Sequence, residues 1–187
     1  AEMKIFPYVL PNLRVQNSDL KIELLSLNNT EQIKLLKKGD LDVTFTRQNL
    51  NSDEIESLFV LREPLIFILP ENHPLAKYER IPVKALHGVD FIIPAAEQSL
   101  TLHNTILEFA KTHGIEFNIV QKADNILFNI NSIGMGLGCA ILPAYIEPLT
   151  VNNTVIRPLE VELPYLDLFV SYRKESESLG IKKLIEL

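Results

Sequence analysis

The sequence predicts an α/β protein built as two lobes joined by crossing strands. Three observations point there. Short apolar runs of strand length alternate with stretches of helical periodicity almost throughout, the pattern of an α/β chain with mostly parallel sheets. Residues 65–69 are apolar without a break, as in a strand buried on both faces. No repeat, low-complexity tract or Gly/Ser linker separates the halves, so so many strands are accommodated in two lobes that share crossing segments.

In order along the chain, Met3, Ile5, Phe6, Val9, Leu10 and Leu13 fall on one helix face. Pro7 and Pro11 argue for a late start or a kink. Residues 21–27 alternate charged and apolar side chains, then turn apolar, and read as a strand. Asn28-Asn29-Thr30-Glu31-Gln32 opens a helix, with Asn29 as a suitable cap and Gln32 completing a capping box. That helix runs through Ile33, Leu35 and Leu36 and stops at Gly39, after Lys37-Lys38. Residues 41–46 are a β-branched strand, 49–52 a polar loop and 57–61 a further strand.

Pro64 and Pro70 bound the strand at 65–69. A short helix follows at 82–86 and a buried strand at 89–93. Residues 100–112 form a helix with Ile106, Leu107, Phe109 and Ala110 inward, stopped by Gly114. A strand at 117–121 leads to a helix at 125–133 that ends around Gly134 and Gly136. Residues 139–142 are a strand closed by Pro143. Strands at 155–156 and 166–172 and a last helical turn or two at 181–187 complete the chain.

Composition excludes several classes. The 187 residues are 47% apolar and 22% charged, enough to bury real cores. A net charge of −6 is the wrong sign for a domain that grips phosphates by itself. The single cysteine, Cys139, sits in an apolar run, so no disulfide forms within the chain. It reads as a buried core thiol in a reducing, cytoplasmic compartment. No apolar run reaches membrane-span length, and no basic region precedes an apolar stretch at the N-terminus. The chain begins at Ala1 without an initiator Met and reads as a fragment.

Two cassettes about sixty residues apart carry the most information. One is Pro64-Leu65-Ile66-Phe67-Ile68-Leu69-Pro70-Glu71-Asn72-His73-Pro74-Leu75-Ala76. The other is Gly134-Met135-Gly136-Leu137-Gly138-Cys139-Ala140-Ile141-Leu142-Pro143. With Leu36-Lys37-Lys38-Gly39-Asp40-Leu41-Asp42-Val43, their order and spacing resemble the effector-binding domain of LysR-type transcriptional regulators over nearly the whole chain. Asn118-Ile119-Val120-Gln121 and Asn125-Ile126-Leu127 look closest to HcaR-type regulators, which sense phenylpropionate or hydroxycinnamate-like acids. The benzoate- and muconate-sensing BenM/CatM branch is more distant. The resemblance implies two Rossmann-like lobes with crossing strands, of the type 2 periplasmic-binding-protein-like fold. Lobe I would be residues 1–62 plus 158–187, and lobe II residues 63–157. The family's first strand, its carboxylate-contacting loop serine and its winged helix-turn-helix would all lie before Ala1.

The resemblance also implies a function: sensing a small aromatic carboxylate (a hydroxycinnamate, phenylpropionate or hydroxybenzoate) in the interlobe cleft, without catalysis, cofactor or metal. Such a ligand needs donors for its anion and an apolar slot for its ring. Asn28, Asn29 and Thr30 form a helix N-terminus where the family's carboxylate-binding threonine loop falls, Asn29 taking the threonine's own position. Across the cleft, Gln98, Ser99 and Thr101 carry donors, and Leu100 and Leu102 face the ring. Phe6 adds apolar wall, or simply packs in its core. Arg47 either holds a carboxylate bidentately or makes an ion pair, with Glu63 as a partner. Asn29, Thr30 and Ser99 also have a plainer role as helix caps. The family pairs these domains, so a homodimer or homotetramer is expected, with Ile5, Val9 and Leu13 as an apolar edge beside Arg14 and Lys34. Operator DNA is reached only through the N-terminal domain, and no membrane is involved.

Other chemistries fit poorly. Gly134-x-Gly136-x-Gly138 follows a helix and precedes a strand, the reverse of a dinucleotide-binding fingerprint. The four histidines, His73, His87, His103 and His113, lack metal-ligand spacing. His103, in a helix's first turn, donates into the cleft or faces solvent. No Ser-His-Asp or Cys-His arrangement is suggested. A solute-binding transport protein and a small α/β enzyme share the fold. The first usually runs on into longer C-terminal helices, and the second needs a catalytic constellation that the residues do not offer.

Overall fold

The structure, a computed structural model, describes residues 4–16, 19–176 and 178–185. In chain order the elements are α1 (Phe6–Gln16), α2 (Asn29–Lys38), β1 (Val43–Thr46), β2 (Ile55–Pro70), β3 (Asp90–Pro94), α3 (Leu100–Thr112), β4 (Asn118–Ala123), α4 (Ile126–Gly134), β5 (Ala140–Pro143), β6 (Thr154–Ile156), β7 (Tyr165–Arg173) and α5 (Leu179–Ile185). Short 3₁₀ turns cover Pro74–Lys77, Val83–Leu86 and Ala144–Leu149. The chain forms two units, Ala1–Leu61 with Asp167–Leu187, and Arg62–Leu166. Residues 158–166, expected with the first lobe, belong to the second unit. Leu159 and Leu166 are buried in its core, and Leu159 bridges to Ile81.

In the first unit β1 runs antiparallel to β7, from Val43↔Tyr172 to Thr46↔Phe169, and β7 lies next to β2. Leu13, Leu36, Ile55, Leu168, Val170 and Ile181 are buried there. Two buried serines satisfy each other, with Ser57 Oγ and Ser171 Oγ 2.8 Å apart. Gly39 ends α2 in the left-handed region at φ 86°, and Arg173 Nη1 donates to the terminal carbonyl of Leu36 at 2.8 Å. Residues 21–27 are not a strand. Alternation suits a strand only where a neighbour supplies the ladder, and this stretch has none among the described residues, leaving Leu24 and Leu25 exposed.

The second unit explains its apolar runs by burial on both faces. β2 pairs antiparallel with β5 and β6, β3 pairs parallel with β4, and a parallel bridge at Phe91↔Cys139 connects β3 to β5. Successive strand residues point to opposite faces. Phe67, Leu69, Phe91, Ile93 and Ile141 pack with Leu102, Ile106, Phe109 and Ala110 of α3. Ile68, Ile92, Ala140 and Leu142 pack with Ile130 and Ile133 of α4. Each fully buried side chain of this size stabilises by roughly 1.5–3 kcal/mol. Pairing is therefore mixed rather than mostly parallel, because β2 runs against β5 and β6. The strands expected at 57–61 and 65–69 are one strand, β2. The β5 ladder begins only at Leu65↔Pro143, so Pro64 falls outside it.

Candidate functional site

The N-terminus of α2 is a donor site in the first unit. Its cap is Asn28, whose Oδ1 accepts the Glu31 N–H at 3.0 Å. Asn29 is the first helical residue, so the cap lies one position earlier than the sequence pattern indicates. Gln32 does not close a capping box; its Nε2 donates to the Leu27 carbonyl at 2.8 Å instead. The Glu31 and Gln32 N–H groups are taken by Asn28. Among the described residues, the N–H groups of Asn29 and Thr30 have no partner, as helix formation leaves them. Thr30 is exposed and Asn29 half-buried.

Two further candidates belong to this unit. Phe6 is half-buried and meets Phe45 edge-on at 5.3 Å between centroids, which gives it a packing role at the start of α1. Arg47 follows β1 directly, half-buried, and is engaged in interactions of its own. Glu63, its expected partner, is buried in β2, where Oε1 accepts the Tyr145 N–H at 3.0 Å.

In the second unit β3 and β4 end side by side, the Ala95 N–H donating to the Ala123 carbonyl at 2.8 Å. The turn that follows β3 is fixed by the Gln98 and Ser99 N–H groups, both donating to Ala95 O. Ser99 occupies the cap position of α3, but its side chain makes no capping bond. Gln98 and Leu100 are exposed; Thr101 is half-buried. Leu102 points the other way. At 5% exposure it is part of the core beneath α3, so it cannot face a ligand ring. His103 is half-buried, and its Nδ1 is 2.8 Å from the Pro94 carbonyl, tying α3 to the end of β3.

Cys139 is an inert thiol. Burial, and next the carboxylate of Asp90, push it up to about 12. Among the described residues no group of three or more His, Cys, Asp and Glu side chains could hold a metal ion, and no helix is long and apolar enough to cross a membrane.

The sequence reading missed one feature and misassigned another. Ile5, just before α1, and Val9 are half-buried and Leu13 is buried, so Val9 and Leu13 face inward; the exposed apolar residues of α1 are Tyr8 and Val15. In the second unit Leu127 and Phe128 of α4, its C-cap Met135, and Ile119 and Val120 of β4 are also exposed. A signal was present in α4, whose residues 126–134 are apolar on more than one side of the helix.

Comparison with known proteins decides the family. The LysR substrate binding domain family matches residues 1–187. The chain belongs to that family. This LysR substrate-binding domain is 34% identical over 187 residues to the Hca operon transcriptional activator HcaR of Escherichia coli K12, covering all of this chain and 63% of that protein. It is 27% identical over 144 residues to the transcriptional regulator CatR of Pseudomonas putida, covering 77% of this chain and 49% of that one. The BenM effector-binding domain with its effector benzoate superposes with a TM-score of 0.83 at 19% identity, covering 99% of this chain and 84% of that chain. The fold is thus the periplasmic-binding-protein-like type 2 fold of LysR effector domains. These curated relatives are named as transcriptional regulators, a non-enzyme family.

Proposed function

We propose that this domain is the sensor of a transcriptional regulator and that its effector is a small aromatic carboxylate. The observation that carries the proposal is the N-terminus of α2, where two backbone N–H groups and the positive helix end await an anion. The exposed Gln98 and Leu100, with the Ser99 hydroxyl, offer further donors and an apolar contact in the second unit. Two comparisons support this reading: HcaR is the full-domain relative described above, and BenM, with the same fold, takes benzoate, an aromatic carboxylate. Arg47 is the second candidate for the anion.

The chain spans about 63% of HcaR's length, so control of transcription is a proposal for the longer protein. In it, this acidic domain does not grip operator DNA; a separate segment does. Ligand binding shifts an equilibrium between domain states, which requires differential affinity rather than chemistry. The protein works in the cytoplasm as a homodimer or homotetramer, and the exposed apolar residues of α1, α4 and β4 are its pairing surfaces.

The test is a thermal-melting panel of cinnamates, phenylpropionates and hydroxybenzoates, with aliphatic acids as controls. A ligand specific for the native state at a hundred times its Kd stabilises by about 2.7 kcal/mol. At least one aromatic acid is expected to raise the melting temperature saturably. A response to aliphatic acids alone would overturn the aromatic assignment.

A further inference from the structure

At the opposite end of β3 from residues 98–101 lies a pocket of about 340 Å³, lined by His73, His87, Gly88, Val89, Asp90, Gly136 and Gly138. β3 separates the two places by five residues at about 3.3 Å each, so this is not the proposed effector site. Gly88 and Gly136 in the lining both take left-handed φ, at 74° and 81°.

The polar lining has a definite sense. His73 Nδ1 accepts the Leu75 N–H at 3.2 Å, and His87 Nδ1 accepts the Glu116 N–H at 3.2 Å. A neutral imidazole that accepts at Nδ1 carries its proton on Nε2, so each ring keeps one N–H donor. The same tautomer leaves no Nε2 lone pair for a metal, in accord with the absence of a metal-holding group among the described residues. Asp90 is the only carboxylate among the lining residues; its Oδ1 accepts the Asn118 amide at 2.6 Å, and the group keeps further acceptor capacity. A bare dianion would meet that carboxylate without a cation to balance it. A molecule with an ammonium for Asp90 and a carboxylate that accepts from the two imidazole N–H donors uses both kinds of polar group in the lining.

We propose that this pocket is a second ligand site, for a small zwitterion of the free amino-acid class. It goes beyond the aromatic-acid reading and stands without it. L-Serine is the probe, titrated at millimolar concentrations while the histidine side-chain nitrogen resonances are followed by NMR. Saturable shifts at Nε2 of both His73 and His87 are expected. Glycolate, which lacks the ammonium, and ethanolamine, which lacks the carboxylate, should each bind at least about tenfold more weakly. Asp90→Asn keeps an acceptor for Asn118 and should weaken serine by at least about tenfold; His87→Phe removes one donor and checks the result independently of Asp90. Absence of saturation, equal binding of glycolate, or full serine affinity in folded Asp90→Asn would overturn the proposal.

Discussion

His73 caps the Pro74–Lys77 turn with its own ring, Nδ1 accepting the Leu75 N–H. Protonation at Nδ1 would turn that acceptor into a donor facing a donor. Burial lowers the His73 pKa from 6.5, and Asp90 offsets this only in part. The folded state therefore binds this proton less readily than the unfolded chain. Its contribution to stability is fully present above 6.5 and is lost as pH falls through the lowered value. Thermal melting should decline as pH drops below 6.5, and His73→Asn, which retains a capping acceptor without titrating, should flatten that decline. An unchanged slope in His73→Asn would exclude His73 as its source. Neighbouring residues of one helix can differ as sharply. Leu102→Ala opens a cavity beneath α3 and should cost about 2–5 kcal/mol, whereas Leu100→Ala, at 57% exposure, should stay within roughly 0.5 kcal/mol. Chemical denaturation of the two variants separates them. Sequence alone placed both leucines toward a ligand, because residue type does not say which side of a helix's first turn meets the sheet. The cap shifted for a related reason: Asn28 and Asn29 are equally good caps in sequence, and only backbone geometry chooses Asn28.

At the scale of elements, burial on both faces made the second unit the more legible. Runs at 65–69, 89–93 and 139–142 correspond to parts of β2, β3 and β5, and helical periodicity gave α3 its full extent. Partner-dependent features were not legible. Residues 21–27 have the alternation of a strand but no ladder, and the antiparallel sense of β2 against β5 leaves no mark in an unbroken apolar run. Gly138 shows how tightly two elements meet. A Cβ there would lie 2.8 Å from the Asp90 carbonyl oxygen, the acceptor of the Cys139 N–H that joins β5 to β3. Gly138→Ala should destabilise by about 1–3 kcal/mol through backbone displacement. Gly88→Ala adds a Cβ into open space, and its penalty comes only from the positive φ of 74°. Melting curves in which Gly138→Ala matched the parent would contradict the close packing.

For the whole molecule, the proposed pairing with a second copy rests on apolar residues that stay exposed. Tyr8 is 72% exposed and Val15 85% on α1, while Leu127 and Phe128 lie along α4 and Met135 is its C-cap. Phe128→Glu should shift sedimentation toward monomer without lowering the melting temperature, since Phe128 belongs to neither core of the second unit. A parent domain that stays monomeric at high concentration would remove this reading.

The central claim, that the α2 N-terminus holds the effector's carboxylate, is tested most directly by calorimetry on the parent and Asn29→Asp. The substitution leaves the Asn28 cap in place and sets a carboxylate at the positive end of the helix, so the fold should be as stable as the parent. It also sets like charge against the ligand. Affinity for a responsive aromatic acid should fall at least tenfold, about 1.4 kcal/mol, while the uncharged amide of the same acid should lose far less. Equal affinity of Asn29→Asp and parent for the acid would contradict the claim and move the carboxylate to Arg47.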